Sequence, residues 1–347
     1  MTPEELYVAG VGSWLPEREP VERAVADGRY DPKHRRRTGQ VAVAIAGEDE
    51  TQPVMAVRAG QAALRHSGID PERFRLLLHA VAGYHGLDGW NAASYLQQQV
   101  LGGHGLSFEV HQLSNGAVAS MELAAAYLAT ADGAGAALIT TADCFPEPVW
   151  DRWSASPGLV FGDGASALVL ARDTGFAKVR SIASTNDPQL EGMQRGDVAF
   201  SKYPDPGHYP INLRARTNQF SSTMSLDEAS ARMARGLRAA ADRAADEAGV
   251  KLAELDHVLT PNFGRELLDD ECLRPLEIPY ERTVWEWGLT VGHVGAADQF
   301  AGLAHLCETE ALRPGEHVML VGVGGGFNWT CAVLEILEPP VAPERAR

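Results

Sequence analysis

Short runs of β-branched and apolar residues alternate along the chain with longer alanine-rich segments whose apolar positions recur at helical spacing. This alternation predicts an α/β fold. The helix-like segment PVMAVRAGQAALRHSGI closes at Gly68 and ARMARGLRAAADRAADEAGV closes at Gly249, 181 positions later. Glycine suits the left-handed residue that ends a helix. At the same offset, strand-like RFRLLLHAV (73–81) is followed by ELDHVLTPN (254–262), and AALITTAD from Ala136 by HVMLVGVG from His317. Between those last strands each half carries an alanine-rich helix, one predicted to begin at Ser114 and the other at Gly295. The pattern predicts an internal duplication, with halves at 1–173 and 174–347. If the halves pack about a pseudo-twofold axis, the starts of these two helices face each other at the junction, where sites often form. Ser114 and His293 then converge. Residues 184–225 have no counterpart in the first half and are predicted as an inserted loop.

Composition keeps this picture and narrows the partners. With 45% hydrophobic and 22% charged residues over 347 positions, the chain reads as a globular protein able to bury a large core. A formal charge of -16 argues against a nucleic-acid partner. One basic cluster, Lys33, His34, Arg35, Arg36 and Arg37, is a solvated face or a docking point for a phosphorylated carrier. Cys144, Cys272, Cys307 and Cys331 form no Cys-x-x-Cys pair, so neither a zinc site nor a redox motif is expected. No apolar run is long enough to span a membrane, and the opening MTPEELYVAG does not read as a signal peptide. The expected location is cytoplasmic, with reduced thiols.

Six segments carry more specific information: VAGVGSWLPE (8–17), RTG at Arg37, FEVHQLSNG (108–116), VFGDGASALVL (160–170), VGHVGAAD (291–298) and VGVGGGFNW (321–329). In order and spacing the chain resembles the ketoacyl-ACP synthase III enzymes and their acyltransferase relatives in polyketide-type pathways. The resemblance implies a thiolase-like fold, a duplicated five-layer αβαβα architecture with two pseudo-symmetric halves, and a homodimer. It also implies acyl-CoA or an acyl-phosphopantetheine carrier as substrate, with no permanently bound cofactor and no metal.

Site residues follow from the same alignment. Ser114 stands where the family carries its nucleophilic cysteine. Asn262, in TPNFGR, occupies the family's histidine position, and His293, in VGHVGAAD, its asparagine position. Amide and imidazole have changed places, and both are expected to face the acyl group. A serine hydroxyl needs a positioned base to attack a thioester, and His293 is the expected one, with Asp298 orienting it. His208 and His111 are the competing bases. The backbone N–H groups of Ser114 and Gly325 are expected to form the oxyanion hole. Arg37 is expected to hold the phosphate end of the donor and Trp90 to line the acyl pocket, while Lys33 replaces a tryptophan that stacks on adenine in the family. The implied activity is acyl transfer through an acyl-Ser114 ester to an acceptor. A decarboxylating condensation and a non-catalytic partner subunit are the alternatives.

Overall fold

The computed structural model describes residues 3, 5–130 and 133–338. Eleven strands are present among them: β1 (Tyr7–Trp14), β2 (Arg18–Pro20), β3 (Ala42–Ala44), β4 (Phe74–Ala80), β5 (Leu106–Val110), β6 (Ala136–Asp143), β7 (Gly164–Ala171), β8 (Ala177–Asn186), β9 (His257–Leu259), β10 (His317–Gly324) and β11 (Asn328–Ile336). β2 and β3 pair with each other. The other nine form one mixed sheet in the order β5-β4-β6-β7-β1-β8-β11-β10-β9.

That order reads as a palindrome of equivalent strands. β4, β6, β7 and β1 of the first half correspond to β9, β10, β11 and β8 of the second, and the halves meet where β1 pairs briefly with β8 through Tyr7, Val8, Ala177 and Lys178. β6 and β10 stand 181 positions apart, as the sequence pattern predicts. Their predominantly apolar runs, AALITTAD and HVMLVGVG, are nearly all buried, as expected for strands covered on both faces.

Helices complete the layers. The helix Gln52–Ser67 covers β1, β6 and β7 on one outside face, and Leu226–Ala248 covers β8 and β11 on the other. Gly68 and Gly249 end these helices in the left-handed conformation, at φ 62° and 76°. The helices Gly116–Thr130 and Asp298–Glu308 lie between the two halves of the sheet and touch strands of both. They share one core with β1, β4, β7, β8, β10 and β11, in which Met121, Phe300, Leu168 and Leu320 are buried. The result is a mixed α/β architecture of five layers, whose central helices bring their starts to the junction of the halves.

Two expectations change in detail. The inserted segment begins after β8 ends at Asn186 rather than at Ser184. It is also not a bare loop, because it folds into the short helix Gly192–Arg195 and the two-turn helix Leu213–Phe220, whose N-cap Asn212 accepts a hydrogen bond from the Ala215 N–H. Phe220 is buried against Gly192, which anchors the segment to the body. The boundary at 173/174 falls in the connection between β7 and β8. Among the described residues no helix is long and apolar enough to cross a membrane.

Candidate active site

Ser114 lies in a single turn, Leu113–Asn115, that leads into the helix Gly116–Thr130, so the long helix starts two residues later than predicted. Leu113 has φ 47°, a left-handed conformation that costs a branched, bulky residue energy. This sharp entry lifts the Ser114 side chain out of the helix direction. Asn115 locks the turn from below by donating to Thr330 Oγ1 at 3.0 Å and to Asn328.

His293 reaches the same point from the second half. Gly292 and Gly295 on either side have φ 87° and 56°, so the chain bends sharply around it. Its backbone N–H donates to Val160 O at 2.8 Å, and its carbonyl accepts from the Gly162 N–H at 2.9 Å. Phe161 and Phe263 flank the ring, which is 2% exposed. Nε2 lies 2.8 Å from Ser114 Oγ, and Nδ1 lies 2.5 Å from Asp298 Oδ2. A carboxylate only accepts, so Nδ1 carries the proton and Nε2 offers its lone pair to the serine hydroxyl. Nucleophile, base and orienting acid therefore form one continuous hydrogen-bonded run.

Asp298 is buried and held tightly. Oδ2 also accepts from the Asn262 backbone N–H at 2.7 Å, while Oδ1 accepts from the Val294 N–H at 2.8 Å and from Asn262 Nδ2 at 3.2 Å. This corrects one expectation. The Asn262 amide, whose Nδ2 also donates to Gly292 O at 3.0 Å, faces Asp298 and the His293 loop instead of the acyl group. With its donors spent on these partners, it positions the acid.

Above Ser114 opens a cavity of about 520 Å³ that contains His293, Gly325 and, near its mouth, Arg37. Leu159, Met193, Leu213, Met233, Phe263 and Leu267 supply apolar walls. Gly325 sits where a side chain has no room, because a Cβ would lie 2.7 Å from Gln194 Cδ and 2.9 Å from Leu113 Cδ1. Arg37 donates through Nε to Glu266 at 2.7 Å across an exposed pair. A hollow of similar size near His104 and Tyr127 contains none of these groups.

Three candidates lie outside the cavity lining. Trp90 packs on Tyr95, with ring centres 5.5 Å apart. His208 is exposed and sits 3.4 Å from Asp205 in its own turn. His111, exposed, precedes the Ser114 turn and does not line the cavity.

Two acids were not singled out by sequence reasoning. Asp143, at the end of β6, is fully enclosed and accepts from the Ala82 N–H at 2.8 Å and the Ala296 N–H at 3.1 Å. Burial pushes its carboxyl up to about 7 against these bonds and the nearby His293. A Cβ on Gly295 would lie 2.1 Å from its Oδ2, so Asp143 and Gly295 together fix the approach to His293. Its signal in sequence was an acid closing an otherwise apolar strand.

Glu271 is the second. It lies in the wide turn Asp269–Leu273, lines the cavity and is pushed up to about 7 by burial, with a smaller contribution from Asp270. A carboxyl whose folded pKa is raised contributes stability below its unfolded value near 4.5, and that contribution is lost as pH rises through 7. Glu271→Gln is therefore expected to match the wild type in thermal unfolding at pH 4 and to exceed it at pH 8. The difference is on the order of 1 kcal/mol, because solvent in the cavity screens part of the shift. Equal melting temperatures at pH 8 would count against it.

The layered duplicated sheet with its site between the halves defines a thiolase-like protein. Residues 108–188 match the family model for 3-oxoacyl-[acyl-carrier-protein (ACP)] synthase III, and residues 245–336 match the model of its C-terminal part. Acetoacetyl CoA synthase NphT7 of Streptomyces sp. (strain CL190) is 27% identical over 345 residues, covering 96% of this chain and all of that protein. Among solved structures, "ChlB3 [Aceyltransferase]" superimposes with a TM-score of 0.92 at 35% identity, covering 96% of this chain and 98% of its own. The 3-oxoacyl-(acyl carrier protein) synthase III of Pseudomonas aeruginosa PAO1 shares the fold at a TM-score of 0.76 and 23% identity, covering 97% and 99%. The chain belongs to the ketoacyl-ACP synthase III family.

Proposed function

We propose that this protein is an acyltransferase in which Ser114 takes an acyl group from a thioester and passes it to an acceptor. The reading rests above all on the two hydrogen bonds that run from Ser114 Oγ through His293 to Asp298. As Oγ attacks the thioester carbonyl, its proton moves to Nε2 and Asp298 stabilises the imidazolium. Backbone N–H groups at Ser114 and Gly325 receive the developing negative charge. Collapse of the tetrahedral species expels the thiol, which takes the proton from His293 and leaves an ester on Ser114. The acceptor reverses these steps. Arg37 at the mouth suits the phosphate end of a coenzyme A or carrier-protein donor.

The likeness to the acyltransferase ChlB3 supports this reading, and a role in polyketide-type biosynthesis is proposed with it from the sequence resemblance. Condensation is the second reading, favoured by relatives such as the acetoacetyl CoA synthase. Against it stands Asn262, whose amide is engaged by Gly292 and Asp298 and so does not serve as the second donor to a malonyl carbonyl. A homodimer through β5 accords with its place at the sheet edge and with Leu106 and Phe108 being half exposed there.

Incubation with a panel of acyl-CoA and acyl-carrier thioesters, followed by intact-protein mass spectrometry and peptide mapping, tests the proposal. One acyl group is expected, on the peptide holding Ser114, and it should resist neutral hydroxylamine better than a thioester does. An adduct on Cys144, Cys272, Cys307 or Cys331 would overturn the serine mechanism. Absence of any adduct until a second protein is added would favour the non-catalytic partner subunit.

A further inference from the structure

The turn that carries Ser114 is held by a chain of hydrogen bonds that leads away from the nucleophile. Asn115, 1% exposed, donates through Nδ2 to Asn328 and, at 3.0 Å, to Thr330 Oγ1. Thr330 Oγ1 lies 2.8 Å from the hydroxyl of Ser184, its opposed residue across the β8–β11 pair, and that hydroxyl meets the carboxylate of Glu122. A carboxylate only accepts, so Ser184 spends its one proton on Glu122 and accepts from Thr330, whose oxygen in turn accepts from Asn115. Donation runs one way, from Asn115 through Thr330 and Ser184 to Glu122. Glu122 lies in the helix Gly116–Thr130, seven positions on from Asn115, which places both on one side of the helix.

This polarity decides which edge of the Asn115 amide faces the strands. With Nδ2 committed, Asn115 Oδ1 is buried without a partner among the described residues and lies over Gly322, where a Cβ would collide with it. A Cβ on Gly324 would lie 2.8 Å from Asn115 Cβ. Gly322 and Gly324 are the β10 residues opposed to Thr330 and Asn328 on β11. Asn115 therefore sits in a notch of two glycines and grips two side chains of one hairpin. The tip of that hairpin, between β10 and β11, carries Gly325.

The two backbone donors assigned to the developing oxyanion thus come from separate segments, Ser114 from the first half and Gly325 from the second. Such donors work only at hydrogen-bonding distance from the position the oxyanion will occupy, so the spacing between the segments matters. The hydrogen bonds described between the Leu113–Asn115 turn and the hairpin are those of Asn115. We infer that Glu122 is a positioning residue for acyl transfer: through Ser184 and Thr330 it fixes the Asn115 amide, which sets the spacing of the Ser114 and Gly325 N–H groups. The inference rests on the acyltransferase reading and deepens it by extending the machinery to a half-buried acid two helical turns from the nucleophile.

Paired substitutions test this. Thr330→Val and Glu122→Met interrupt the chain at either end with little change of shape, whereas Thr330→Ser and Glu122→Gln keep an oxygen at the same link. Loading of Ser114 is measured as the single-turnover rate against acetyl-CoA concentration, and the carbonyl of a carbon-13 labelled acetyl ester on Ser114 by infrared difference spectroscopy. Each interrupting variant is expected to lower the maximal loading rate roughly 10- to 100-fold, with the half-saturating concentration within about twofold of the wild type. The carbonyl band should move to higher wavenumber, as for an ester released from its hydrogen-bond donors. The oxygen-keeping variants should recover both. Deuterium exchange adds a measurement that needs no acylation: in the interrupting variants the peptide holding Ser114 should exchange faster while the peptide holding His293 exchanges as in the wild type. Wild-type loading and band position in Glu122→Met, equal losses in the interrupting and oxygen-keeping variants, or faster exchange at both peptides would overturn the assignment. If Ser114 takes no acyl group, the acyltransferase reading falls by itself, and exchange at the Ser114 peptide decides whether Glu122 holds the turn.

Discussion

Replacing His293 with alanine is expected to slow acylation of Ser114 by about 100- to 10,000-fold, the usual contribution of a general base. The reason lies in the geometry around Oγ. A serine hydroxyl is almost wholly protonated at neutral pH, and the described group within hydrogen-bonding distance of it is His293 Nε2, at 2.8 Å. The ring is 2% exposed, so its removal leaves a hole between Phe161 and Phe263 that admits water. Water there would be a poor base without Asp298 to hold it. His208→Ala serves as the comparison, since that ring is exposed and bonded within its own turn. The rate of adduct formation, followed by intact mass under single-turnover conditions, distinguishes the two. Near-normal loading in His293→Ala, with loss in His208→Ala, would move the base into the inserted segment.

The parts of this arrangement that depend on local pattern were legible in the sequence. Gly68 and Gly249 close equivalent helices, and AALITTAD and HVMLVGVG occupy equivalent buried strands, because helix ends and doubly covered strands leave marks in residue type and spacing. The convergence of Ser114 and His293 followed from the same repeat, since equivalent helix starts meet at the junction of the halves. What escaped was set by contacts distant in the chain. The left-handed Leu113 breaks the helix start that its neighbours favour, and only the surrounding fold holds it there. Asn262 sits at an aligned position, yet its direction is decided by a carboxylate 36 residues away. Trp90 packs on Tyr95, five residues on, and lies outside the lining of the Ser114 cavity. Glu271 looked like one more acid in an acidic run, and its place in the cavity wall is set by residues such as Leu213 and Met233 that lie far from it in the chain.

Asp298→Asn is expected to lower acyl loading by roughly 1,000- to 10,000-fold, the scale seen when a base is left in the wrong tautomer. The wild-type carboxylate receives four hydrogen bonds: from His293 Nδ1, the Val294 N–H, the Asn262 N–H and Asn262 Nδ2. An asparagine there has one accepting oxygen and one donating amide. If the oxygen turns to Oδ1's place, the amide confronts His293 Nδ1 and donates to it, which puts the imidazole proton on Nε2. Nε2 then meets Ser114 Oγ as a donor and has no lone pair to receive its proton. If the oxygen instead faces His293, the amide confronts the Val294 N–H, and a buried donor left unmatched costs about 1–3 kcal/mol. Either arrangement penalises the protein, but they leave different traces. Both lower the melting temperature, because an amide in the Oδ2 place confronts the Asn262 backbone N–H just as one in the Oδ1 place confronts that of Val294, but only the first also misplaces the imidazole proton and so lowers loading. Asn262→Ala separates positioning from chemistry, since it removes an amide donor and leaves the carboxylate in place. Its loading should fall far less than that of Asp298→Asn. The alternative role for Asp298 is an acid that only stabilises the start of the helix Asp298–Glu308, through the helix dipole. That role predicts loading within an order of magnitude of the wild type at temperatures where circular dichroism shows Asp298→Asn folded, and such a result would remove Asp298 from the relay.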